Sequence, residues 1–199
     1  VYHAANVARA GQYACRIVDL PSRSYETPEQ ALANARRLVD EGGADMVKLE
    51  GGVAKLAVVE HLVRHDIPFC GHIGLLPQSV NELGGYKVQG RDAAGARAIM
   101  EDARALEAAG ASMIVIECIP AALATTITQS LSIPTIGIGA GPGCDGQVLV
   151  LYDMLGIATQ KLPRFVKDFL SDSGSVAGAV AAYVKAVKDG SYPAPEHEY

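Results

Sequence analysis

Apolar residues along this chain follow two rhythms that alternate. After Thr27 the residues Ala31, Leu32, Ala35, Leu38 and Val39 fall on one helical face. Thr27-Pro28-Glu29-Gln30 supplies a capping box with proline at the first helical position, and Gly42-Gly43 ends the segment. Leu56, Val59 and Val63 mark a second such face. Asp92–Ala109 carries Ala96, Ile99, Met100, Ala103 and Leu106 before stopping at Gly110, and Pro120 opens another helix. A final helix is predicted over about 175–189, from Val176, Val180, Tyr183, Val184 and Val187, with a polar tail over 190–199. Val1–Ala10 reads as the end of a helix. Between these faces lie short apolar runs: Arg16–Asp19, Met46–Glu50, Pro68–His72, Met113–Glu117, Ile133–Ile138 and Gln147–Leu151.

Six strands alternating with helices imply right-handed crossovers and a parallel α/β sheet covered on both faces. An open doubly wound sheet and a closed eight-stranded barrel both satisfy that pattern. A (β/α)8 TIM-type barrel takes about 250 residues and eight strands, whereas this chain has 199 residues and six candidate strands. Two further βα units before Val1 would close the arithmetic, so we expect one barrel domain over 1–199 lacking its first two units. The interval between the third and fourth strands contains a Gly- and polar-rich insertion, Gly74–Gly90, of the kind that serves function more often than structure.

Composition narrows the classes. Seventeen basic residues face 22 acidic ones, with no Lys/Arg block, which argues against nucleic-acid and anionic-membrane binding. The longest apolar runs fall far short of the roughly 20 residues of a spanning helix. Cys15, Cys70, Cys118 and Cys144 are widely spaced, without CxxC, which points to reduced thiols in a cytoplasmic protein and away from structural zinc.

The chemistry-bearing residues sit where predicted strands end: Asp19, Lys48 and Glu50, His72, and Glu117. In parallel α/β folds the carboxyl ends of strands converge on the ligand site. Lys48 and Glu50, two apart, leave the same side of their strand. Each has a plainer reading too: Asp19 or Glu117 as a helix cap, Lys48–Glu50 as a structural pair, His72 as a satisfied core histidine. Together they suit a hard divalent cation, since Mg²⁺ needs one or two carboxylates and an oxygen-rich substrate. His61 and His65, at i and i+4 without HExxH, read as a solvated helix face, and His197 as part of the tail. Gly141–Gly146 matches G-x-G-x-x-G but follows a late strand, which leaves a phosphate-gripping loop and a plain tight turn both open.

The wording of the segments adds a family. Met46-Val47-Lys48-Leu49-Glu50-Gly51-Gly52, Cys70-Gly71-His72-Ile73-Gly74-Leu75, Pro77-Gln78-Ser79-Val80-Asn81, Gly84-Gly85-Tyr86-Lys87-Val88-Gln89-Gly90-Arg91 and Ile136–Gly141 together closely resemble ketopantoate hydroxymethyltransferase, with the likeness continuing through Asp145-Gly146-Gln147 to Tyr192-Pro193 and Glu196-His197. The resemblance implies a barrel of the phosphoenolpyruvate/pyruvate type, homodecameric assembly, and synthesis of ketopantoate from 3-methyl-2-oxobutanoate and 5,10-methylenetetrahydrofolate for pantothenate. It implies Asp19 as a direct Mg²⁺ ligand that also meets the substrate, Glu50 as a carboxylate reaching the metal, Lys48 on the substrate carboxylate, Glu117 in proton transfer and His72 lining the site. The family's early Gly-Asp-Ser segment, with a further metal-binding carboxylate, has no counterpart here and is expected before Val1. Ser22 stands where the family usually carries Phe, which bears on packing beside Asp19. Two other functions share these residues: a Mg²⁺-dependent 2-oxo-acid lyase of the same fold that needs no folate, and a truncated, non-catalytic assembly subunit.

Overall fold

The computed structural model describes residues 1–11, 13–80, 85–159 and 162–199. Residues 81–84, and with them Asn81 and Gly84 of the motifs above, lie outside the described residues. The elements follow in chain order as α1 (Tyr2–Ala10), β1 (Ile17–Asp19), α2 (Pro28–Asp40), β2 (Met46–Lys48), α3 (Leu56–Arg64), β3 (Phe69–Gly74), α4 (Ala93–Ala108), β4 (Met113–Glu117), α5 (Ala121–Ser130), β5 (Thr135–Ile138), β6 (Gly146–Gln147), α6 (Leu151–Met154), α7 (Leu170–Ser173) and α8 (Val176–Lys188). Short 3₁₀ turns occupy Val53–Lys55, Pro77–Ser79 and Pro195–His197.

Local chemistry explains the boundaries. The Thr27 hydroxyl accepts the Gln30 N–H at 3.2 Å, satisfying one orphan donor of the first turn of α2, while the Gln30 side chain reaches back past Thr27 to accept the Glu26 N–H at 2.8 Å. Asp92 does the same for α4, accepting from Ala94 and Gly95. The last strand is shorter than its apolar run predicts. Gly139 turns β5 away with φ +61°, so pairing ends after the Val148 N–H reaches the Gly137 carbonyl, and the chain coils into α6 from Leu151.

Among the described residues the five strand pairings are parallel, in the order β1-β2-β3-β4-β5-β6, and the sheet curls as a half-barrel. An unbroken order with right-handed crossovers has no reversal point, which sets this sheet apart from the doubly wound alternative. Side-chain alternation then sorts the strands. Val47, Leu49, Phe69, Ile73, Ile114 and Ile116 join Leu32, Leu38, Val59, Leu62, Leu106 and Ile127 of the helices in one core. Met46, Cys70, Val115 and Ile138, from the opposite side, form a second core with Leu149, Met154, Phe165, Phe169 and Tyr192. None of the described helices is long and apolar enough to cross a membrane.

Candidate active site

The strand face that carries Met46 and Cys70 changes character at its C-terminal end. Two residues on from Ile17, Met46, Cys70 and Val115 stand Asp19, Lys48, His72 and Glu117, and Glu50 follows Lys48 by the same step of two. Register aligns them: Asp19 pairs with Lys48, His72 with Val115, and Gly74 with Glu117. The structure therefore brings together all five residues expected from the sequence.

They form a chain of contacts. Lys48 Nζ lies 2.6 Å from Asp19 Oδ1 and 3.2 Å from His72 Nδ1, and His72 Nε2 lies 3.0 Å from Glu117 Oε2. An ammonium has donors only, so it makes Nδ1 the acceptor and fixes the tautomer in which Nε2–H donates to Glu117. Glu50 sits beside this chain, Oε1 at 3.8 Å from His72 Nδ1. Its side chain is only 6% exposed, and burial pushes its carboxyl above the usual range, with the Gln78 N–H and the Lys48 charge opposing.

The turns after the strands hold these ends in place. Gly74 adopts φ +90°, and a Cβ there would stand 2.2 Å from the Glu117 carbonyl oxygen, which instead accepts the Leu75 N–H at 2.8 Å. Cys118 has φ +48°, rare for a residue with a side chain; its N–H donates to Ile138 and its carbonyl accepts from Gln89. The Cys70 and Cys118 thiols are buried and pushed up to about 12, which keeps them protonated packing groups.

Two residues, Gln78 and Tyr25, were not singled out from sequence. The Gln78 backbone N–H donates to Glu50 Oε2 at 2.9 Å, its Nε2 donates to the Leu20 carbonyl at 3.0 Å, and its Oε1 accepts the Tyr25 hydroxyl at 2.7 Å. Gln78 stood inside a quoted motif and a polar insertion, but nothing in spacing told which strand end it would meet. Ser22 is exposed in a turn and takes no part in the buried packing. His61 of α3 and His65, just past its end, lie with ring centroids 4.4 Å apart and planes tilted by 48°, and the His197 ring accepts the Ala194 N–H. The glycine-rich loop is a packed turn: Gly141 and Gly143 press on Ala121 and Thr125, and Asp145 accepts the Thr135 N–H at 2.8 Å.

Among the described residues the cluster thus gathers three carboxylates and one ammonium, which Asp19 alone of the three contacts directly, an excess of negative charge that suits a divalent cation with oxygen preference. Among the described residues no group of three or more His, Cys, Asp or Glu forms a metal cage. The residues present fit an ion held by one or two carboxylates, its remaining positions left to water and substrate, which is the habit of Mg²⁺.

A parallel α/β sheet with carboxylates, an ammonium and an imidazole gathered at its strand ends defines an enzyme-type site. The comparisons narrow it. The family model described as Ketopantoate hydroxymethyltransferase matches residues 1–195, and the chain belongs to that family. It is 56% identical over 200 residues to the 3-methyl-2-oxobutanoate hydroxymethyltransferase of Xanthomonas axonopodis pv. citri, covering 100% of this chain and 73% of that protein. The protein of the same name from Nitrosococcus oceani is 54% identical over 199 residues, covering 100% and 75%. Among solved structures, a dihydrodipicolinate synthase from Acinetobacter baumannii matches with a TM-score of 0.43 at 15% identity, over 84% of this chain and 60% of that one.

Proposed function

We propose that this chain forms ketopantoate by moving a hydroxymethyl group from 5,10-methylenetetrahydrofolate onto 3-methyl-2-oxobutanoate. The observation that carries the reading is the contact chain Asp19–Lys48–His72–Glu117, with Glu50 alongside, at the C-terminal ends of β1 to β4. The relatives' name supports 3-methyl-2-oxobutanoate as the acceptor of the hydroxymethyl group, and the family resemblance implies the folate as its donor.

The Lys48 ammonium binds the carboxylate of the keto acid and orients its C3 toward the site. Glu117, held by the His72 Nε2–H, takes the C3 proton. Carbon C3 then bonds to the folate's methylene carbon as the first of that carbon's two C–N bonds breaks; the second breaks as a water oxygen bonds to the same carbon, and the two folate nitrogens take up the proton held by Glu117 and the proton released by water. Asp19 and Glu50 would hold Mg²⁺, which when bound supplies positive charge for the keto and carboxylate oxygens. The described parts of the insertion, 74–80 and 85–90, anchored by Leu75, Gln78 and Gln89, stand at the same strand ends, where they would keep water from the reacting carbon.

We infer also that the half-barrel is part of a (β/α)8 barrel, because its strand order continues without a switch and leaves β1 and β6 each with one free edge among the described residues. Homodecameric assembly and cytoplasmic location rest on the family resemblance; light scattering tests the first.

The deciding experiment follows deuterium exchange at C3 of 3-methyl-2-oxobutanoate in the presence of Mg²⁺, then product formation with and without methylenetetrahydrofolate. Exchange should need Asp19, and product should need folate. Unchanged exchange in Asp19→Asn would remove this residue from the mechanism, and turnover without folate would favour a lyase.

A further inference from the structure

Gln78 joins three strand-end connections: its own after β3, the one after β1 and the one after β2. Its backbone N–H holds Glu50 Oε2, while its side chain is fixed at both ends, by the buried Leu20 carbonyl after β1 and by the Tyr25 hydroxyl before α2. A planar amide satisfied at both its oxygen and its nitrogen has little freedom to turn, so the backbone N–H beside it is held in a fixed place. With Oε2 occupied, Oε1 is the Glu50 oxygen left toward His72. Tyr25 is itself braced, with the Lys55 ammonium 5.2 Å over its ring.

We propose that Gln78 is a positioning residue for Glu50: its side chain locks the Pro77–Ser79 turn to the β1–α2 connection so that one carboxylate oxygen of Glu50 is presented to the bound 2-oxo acid and its cation. The inference rests on the reading of Glu50 given above. It also makes the first turn of the 74–90 insertion part of the binding machinery, because the turn reaches Glu50 only while Gln78 is held.

Calorimetric titration of 3-methyl-2-oxobutanoate in the presence of Mg²⁺ tests this with four proteins: the unaltered chain, Gln78→Met, Glu50→Gln, and the two changes combined. Methionine matches the length of glutamine and offers neither hydrogen bond, which limits the risk to folding. Gln78→Met should bind about tenfold more weakly, at the lower end of what the loss of an outer-shell partner does at such sites. The double variant should bind no more weakly than Glu50→Gln, because both changes disable one unit. Tyr25→Phe, which cuts a single arm, should weaken binding in the same direction by less. Unchanged binding by Gln78→Met, or a further loss in the double variant equal to its loss alone, would overturn the proposal while leaving the role of Glu50 intact. If Glu50→Gln itself binds normally, the reading of Glu50 falls, and this assignment with it.

Discussion

The same face of the sheet is two different materials along its length. Its lower part, Ile17, Met46, Cys70, Met113, Val115 and Ile136, belongs to an apolar cluster. Its upper part, one alternation further on, is Asp19, Lys48, Glu50, His72 and Glu117, linked by ion pairs and hydrogen bonds. Strand geometry is common to both, so the contrast lies in what each layer buries. The lower layer gains stability by leaving water; the upper layer holds Lys48, Glu50 and Glu117 at low exposure while Asp19 stays open to solvent, and charge held there costs free energy unless it is well paired. Stability and chemistry are therefore separated by one step along each strand.

That separation predicts variants that damage one layer and spare the other. The largest effect belongs to Glu117→Gln, which keeps the shape and removes the base. C3 exchange should fall by about 10²- to 10⁴-fold, while the melting temperature stays the same or rises. A matching loss of both would mean that the upper layer also carries the fold. Met46→Ala, two residues below Lys48, should do the converse. It removes a buried side chain at a cost of about 2–5 kcal/mol, read by urea denaturation, with exchange per folded molecule largely preserved.

Lys48→Met tests the boundary between layers, because the new side chain is apolar like the floor beneath it. Loss of the ammonium should weaken keto-acid binding by about ten- to a hundredfold, seen as a raised KM with a smaller change in stability. The smallest effect is a pH dependence of folding at Glu50. Burial raises its carboxyl above the ordinary value of 4.5, so the folded chain binds that proton more tightly than the unfolded chain. The resulting contribution is present below about pH 4.5 and is lost as pH rises through the folded value. In metal-free buffer Glu50→Gln should melt on the order of a few degrees higher at neutral pH, and the difference should vanish toward pH 4.5. A constant difference at every pH would show that charge burial is not its cause.

Much of this was legible in the residue order. Thr27 and Gln30 announced the start of α2, and Asp92 and Gly110 bracketed α4. Lys48 and Glu50, two apart at the end of an apolar run, had to share a strand face. The run Gln147–Leu151 misled, because its apolar residues fit a strand while the length of β6 was set by Gly139 turning its partner away.

By itself, the sequence determined the alternation of strands and helices, the parallel sheet and the placing of charged residues at strand ends, since hydrophobic period and turn chemistry act over a few neighbouring positions. It also carried the motifs of the family. Only the tertiary structure decided that Lys48 stands between Asp19 and His72, that His72 donates to Glu117, and that Gln78 meets Glu50, Leu20 and Tyr25. Those contacts join residues 24 to 58 positions apart, and strand register together with the φ > 0 turns at Gly74 and Cys118 sets their distances, which no local pattern encodes.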